Sequence, residues 1–171
     1  LTTHNSLTTH NSLTTHNSQL TTHMTLRILI AFLHLLTLGI GFYAIWTRAN
    51  ALKKLKDLIG LAEVFRADNI WGLASMLWIG TGLWRAFGGL QKGTQYYIHS
   101  YAFILKMTLF LAVFIMELAI MMTLIKWRGK QKRGETIDLS PARGFAFISH
   151  LQLGLISMII LVAVVMARGG W

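Results

Sequence analysis

Four long apolar runs, separated by short connections, dominate the chain: residues 28–47, about 69–87, about 101–125 and about 145–167. Each is close to the ~20 residues a helix needs to cross a hydrocarbon core. Uniform apolarity of this length does not match the alternation of a barrel strand, so helices remain as the way to satisfy the backbone in lipid. The first run is longer than the apolar part of a typical signal peptide and lacks a convincing small-x-small cleavage site, so it counts as a span. The pattern predicts an all-α integral membrane protein, a bundle of four transmembrane helices.

Between the first two runs the sequence reads ANALKKLKDLIGLAEVF (49–65). Leu52, Leu55, Leu58, Ile59, Ala62 and Phe65 recur at helical spacing, while Lys53, Lys54, Lys56 and Asp57 fall mainly on the other side. That distribution predicts a short amphipathic helix between helices 1 and 2, lying on the membrane surface. Gly60 interrupts the alternative, a simple extension of the first span.

Ahead of the spans, residues 1–18 are three perfect copies of LTTHNS, followed by Gln19 and the partial copy LTTH. His4, His10 and His16 lie six apart, ~20 Å in an extended chain and on different faces of a helix, which argues against a metal-binding tail. Residues 1–23 are expected to be a disordered tail, and their perfect repetition points to translated repeat DNA rather than native coding sequence. Met24 then stands as the start of a membrane domain covering 24–171.

With 54% hydrophobic and 13% charged residues, the chain has too little polar surface to cover a soluble core. The net charge of +10 would suit nucleic acid. The basic residues, however, cluster beside the spans and form no nucleic-acid motif, so the partner they point to is the lipid bilayer. The absence of cysteine removes disulfides, thiolate metal sites and a cysteine nucleophile. Arg48, Lys53, Lys54, Lys56 and Arg66 lie between runs one and two, and Lys126, Arg128, Lys130, Lys132, Arg133 and Arg143 between three and four. The second connection holds only Lys92, with Arg85 at its edge. The positive-inside rule therefore predicts a multi-pass protein of the cell membrane with both termini outside the cytoplasm.

In lipid, helices associate through small and polar residues, because apolar burial gives no preference for a protein partner over an acyl chain. Span one carries His34, Thr37, Gly41 and Arg48 on such a face; span two Asp68, Gly72, Ser75 and Gly82; span three His99, Lys106 and Glu117; span four His150, Gly154 and Ser157. Packing accounts for the small residues. It does not account for the ionisable ones, since an unpaired charge at the bilayer centre costs about 2.5–3.5 kcal/mol on insertion scales. Lys106 and Glu117 are ~16 Å apart along a helix and cannot pair with each other.

Depth along the spans sorts these groups into two clusters. An outer, basic cluster comprises His34, Arg85, His99 and Lys106; an inner, mixed one comprises Asp68, Glu117 and His150, with Arg66 nearby. The outer set suits an anionic ligand, or a haem whose propionates meet Arg85 and Lys106 while His34 takes the iron. Snorkelling of the two long cations to the interface is the plainer account. The inner set suits either a proton relay through Glu117 and His150 or one buried hydrogen-bonded pair. No metal site is expected, and no nucleophile elbow, HExxH or phosphate loop is present.

The stretches FRADNIWGLASMLWIGTGLWRAF and KGTQYYIHSYAFILKMTLF resemble the bacterial membrane proteins catalogued as domain of unknown function 2214. Asp68, Trp71, Gly72, Gly82, Arg85, Tyr96, Tyr97, Phe103 and Lys106, with His34 upstream, carry the resemblance. It implies a four-span membrane protein and no established activity. A fainter similarity is to the HemJ-type protoporphyrinogen oxidases, which bind haem and pair a histidine in helix one with a lysine opening helix three. His34 and Lys106 would match these two. The Leu-Pro-Arg that follows helix one in that pattern is reduced here to Arg48 of GFYAIWTR.

Three function classes follow: a haem- or porphyrin-binding redox protein, a non-enzymatic structural or interaction protein, and a small transporter subunit. The last calls for a homo-oligomer, because four short helices enclose little volume. The orientation is testable with reporter fusions. A cytoplasm-active reporter within residues 133–141 should be active, and one at the C-terminus silent; the reverse would overturn the orientation.

Overall fold

The computed structural model describes residues 3–88 and 100–168, with side chains from Ser18 onward. The described residues form four helices: α1 (Thr3–Lys54), α2 (Leu61–Phe87), α3 (Tyr101–Lys132) and α4 (Ala142–Ala167). No described residue is in a strand. Three helices are long and apolar enough to cross a membrane: α1 from Ser18 to Lys54, α3 and α4. At 27 residues, α2 is long enough at ~1.5 Å per residue, but its glycines, indoles, Asn69 and Asp68 dilute its apolarity. The backbone of α1 continues into the repeats, and every side chain from Ser18 to Leu29 is exposed, so no tertiary packing supports that stretch.

Local chemistry sets the helix ends. Ser100 caps α3, its hydroxyl accepting from the backbone N–H of Phe103 at 3.4 Å. At the other end Glu135 N–H donates to Lys130 O and Gly134 N–H to Gln131 O, with Gly134 at φ +68°. This is the six-to-one and five-to-two pattern that closes a helix. The next turn is held by the Asp138 carboxylate, which accepts from the Ser140 N–H and hydroxyl, both at 2.9 Å. These bonds hold the Asp138 carboxyl below its ordinary range. Pro141 precedes α4, where a missing N–H costs nothing.

The separate amphipathic helix expected between helices 1 and 2 does not form. Leu52, Lys53 and Lys54 end α1, Leu61 to Phe65 begin α2, and residues 55–60 are a turn. In that turn the Asp57 carboxylate accepts from the N–H groups of Ile59 and Gly60, at 3.1 and 3.2 Å, which competes with helix continuation. Part of the apolar face read as lipid-directed is instead protein core: Leu52 is fully buried and Leu55 and Phe65 partly so, beside Leu61 and Val64, against Ile120, Leu124, Trp127, Ala142 and Ala146. Leu58 and Ile59, at 45% and 85% exposure, and Ala62 project outward.

Contacts run from α1 to α2, from α1 to α4 and from α3 to α4. Two apolar layers draw on all four helices. One lies beside the two basic connections and contains the residues just named. The other, further along every helix, contains Ala44, Ile45, Trp71, Trp78, Val113, Leu153, Ile156 and Ile159. Outside these layers the surface remains apolar: Ile28, Phe32, Met76 and Phe147 are 63–73% exposed, as lipid-facing side chains should be and as a water-soluble surface rarely is.

The core assignment of residues 49–65 predicts unequal costs. Leu52→Ala should lower unfolding stability in detergent by ~2–5 kcal/mol as a buried large-to-small change. Ile59→Ala should stay within ~0.5 kcal/mol. Comparable effects at both sites would favour a surface helix instead.

Candidate functional site

A polar layer separates the two apolar ones. On each helix its residue falls between a member of one apolar layer and a member of the other: Arg48 between Ile45 and Leu52, Asp68 between Val64 and Trp71, Glu117 between Val113 and Ile120, Gln152 between Ala146 and Leu153. The Arg48 side chain is completely enclosed. Its two terminal nitrogens grip Glu117 in a fork, Nη1 to Oε1 and Nη2 to Oε2, both at 2.7 Å. Nη1 also donates to Asp68 Oδ1 at 2.9 Å and Nη2 to Gln152 Oε1 at 3.1 Å. Gln152 returns its amide to Glu117 Oε2 at 3.0 Å and to the Val113 carbonyl at 3.3 Å.

Arg128, one end of α3, completes the set. Its Nη2 donates to Asp68 Oδ2 at 2.8 Å and to the Phe65 carbonyl at 3.2 Å, its Nη1 to Asn69 Oδ1 at 2.7 Å, and its guanidinium lies 4.8 Å over the Phe65 ring. Two arginines thus face two carboxylates, and the layer carries no net charge. The forked Arg48–Glu117 pair has the geometry in which charge attraction best offsets desolvation. The Trp71 indole lies close enough to Glu117 to add to its field, though short of a full hydrogen bond.

Asp68 and Glu117, expected to neighbour each other, do so through Arg48. His150 does not join them: it is exposed, and its Nδ1 bonds the Ala146 carbonyl of its own helix at 2.8 Å. Arg66 is exposed as well. The relay through Glu117 and His150 is therefore not assembled, and the paired alternative describes Glu117 better. Arg48 and Gln152 were missed as members. Arg48 stands at the end of an apolar run, where it reads as a loop charge, and Gln152 is uncharged. Its signal was available, since it is the one amide inside the fourth run.

The outer cluster is built differently. His34 is half-buried between α1 and α2: Nδ1 lies 2.9 Å from Thr81 Oγ1, and the ring stacks on Trp78 with centroids 5.8 Å apart. A Cβ added at Gly82 would come within 3.2 Å of His34 Cε1, so the glycine gives the ring its space. Trp78 in turn meets Phe110 of α3. Arg85 and Lys106 both stand within Coulombic range of His34, and of each other. His99, the fourth expected member, lies outside the described residues.

The two clusters differ most in their acids. All six acidic residues, Asp57, Glu63, Asp68, Glu117, Glu135 and Asp138, belong to the half of the molecule with the basic connections. Along the helices, the carboxylate nearest to Lys106 is Glu117, ~16 Å away, and the nearest to Arg85 is Asp68, ~25 Å away. Among the described residues neither Arg85 nor Lys106 has an ion pair, and no group of three metal-ligating side chains occurs.

The network predicts a hierarchy of losses. Arg48→Met leaves Glu117 buried without a cation and should cost ~3–5 kcal/mol in chemical unfolding. Arg128→Met should cost less, because Asp68 keeps Arg48 and Arg128 is already 31% exposed. His150→Ala should stay within ~0.5 kcal/mol. Equal losses at Arg48 and His150 would deny the network a role in holding the fold.

The family model described as predicted membrane protein (DUF2214) matches residues 26–170, and the chain belongs to that family. No curated protein and no solved structure shows a match.

Proposed function

We propose that this member of the DUF2214 family is a four-span protein of the cell membrane, with both termini outside and a working site for an anionic ligand at Arg85, Lys106 and His34. The observation that carries this reading is the mismatch of charge. Two cations sit beside an imidazole in a half of the molecule that has no Asp or Glu side chain to answer them. The inner layer, by contrast, is neutral and bonded on every helix, so it serves as frame. The transmembrane role of α2 is supported by its length and by Trp71 and Trp78, which it buries in the shared apolar layer.

A haem is the less well supported occupant, and the surroundings of His34 do not fit one. Trp78 covers one side of the ring and Gly82 closes on its edge. Two open apolar grooves lie on the surface, one along Phe103, Met107 and Leu111 and one between Leu38 and Ser157, and His34 lines neither. A second reading, in which the protein only holds its own bundle and meets lipid or a partner, draws on the neutral inner layer.

Protein purified from membranes in mild detergent separates these readings by native mass spectrometry and visible spectra. Wild type should retain an anionic ligand that an Arg85→Gln/Lys106→Met double variant loses. A Soret band lost in His34→Ala would restore the haem reading. Identical ligand content in wild type and double variant would sink the anion site and leave the structural reading ahead.

A further inference from the structure

Among its described residues the outer cluster is rich in donors, and the imidazole of His34 offers a lone pair. The Thr81 hydroxyl sits 2.7 Å from the Leu77 carbonyl and 3.1 Å from the Trp78 carbonyl of its own helix, so its single hydrogen is committed to the backbone. Towards His34 Nδ1 it can then only accept, which puts the imidazole proton on Nδ1. In the neutral ring Nε2 keeps a lone pair, and no Asp or Glu side chain is present in this half to stabilise an imidazolium. Trp78, stacked on the same ring and only 7% exposed, has an indole N–H with no partner among the described residues. Arg85 and Lys106 add cationic donors.

Several donors beside that acceptor complement an oxyanion that brings one proton of its own. Sulfate at mild pH has none, nor has a phosphodiester. A phosphomonoester, with a second ionisation near pH ~6, still carries one. We propose that the outer cluster binds a singly protonated phosphate group, Arg85 and Lys106 holding its charged oxygens while its P–OH donates to His34 Nε2. The inference rests on the anion-site reading above and names the ligand of that site. The group can belong to a phosphomonoester lipid of the outer leaflet or to free phosphate.

The test is thermal unfolding of the full chain in mild detergent at pH 6, titrated with inorganic phosphate, with sodium sulfate, and with short-chain phosphatidic acid or phosphatidylglycerol. Phosphate should stabilise at a concentration at least tenfold lower than sulfate. Preference for phosphatidic acid over phosphatidylglycerol assigns a lipid source, and a response to phosphate without one to phosphatidic acid assigns the free ion. His34→Phe keeps a ring on Trp78 and should reduce phosphate to the potency of sulfate, while Lys106→Met should weaken both. Should His34→Phe fail to fold, His34→Gln and the wild-type ion comparison carry the same decision. Equal potency of phosphate and sulfate in wild type overturns the protonated-phosphate assignment while leaving an anion site standing. A phosphate preference unchanged in His34→Phe overturns it too, and no response to any ion or lipid removes both readings.

Discussion

A guanidinium with no exposed surface, set in an apolar surround, is the constraint on which the rest of this structure depends. Arg48 cannot lose its charge, and its desolvation must be offset by groups that reach it from other helices. Glu117, Asp68 and Gln152 do so at 2.7–3.1 Å. Because the fork on Glu117 tolerates little rotation or sliding, α1 and α3 are fixed in both depth and facing. Lipid gives apolar faces no reason to prefer each other, so this layer does for register what a buried polar residue does in a coiled coil.

Where acids lie then divides the molecule. In the half with the connections, Arg48 and Arg128 meet carboxylates in the buried layer and Arg133 meets Glu135 on the surface. That contact holds the Glu135 carboxyl below its ordinary range. The opposite half has cations and imidazoles but no Asp or Glu side chain. A charge kept in that half without an internal partner is expensive unless something outside the chain answers it. The buried layer and the outer cluster are therefore opposites: one pairs its arginines with carboxylates, and in the other no described cation has an ion pair.

The turn at 55–60 shows how the same amphipathic signal can be used in two ways. Leu52 and Leu61 have the spacing of a surface helix, and lipid was the natural partner to assign. They find α3 and α4 instead, because α3 runs on to Lys132, past the apolar run, and α4 begins at Ala142. Both helices thus offer Trp127, Ala142 and Ala146 as protein surface at that level.

From the sequence alone came the all-helical membrane class, the family, the level of each ionisable residue along its span, and the separation of Lys106 from Glu117. These follow from length, apolarity and the fixed rise of a helix, which act locally. The sequence also placed Asp68 with Glu117 and His34 with Lys106. Tertiary structure alone decided what joined them. Arg48 and Gln152 became the bridge, and His150 turned away, since the rotation of one helix against another depends on all four at once. It likewise decided that Thr81 meets Nδ1 of His34, a matter of an ångström between two helices that no spacing along either one can express.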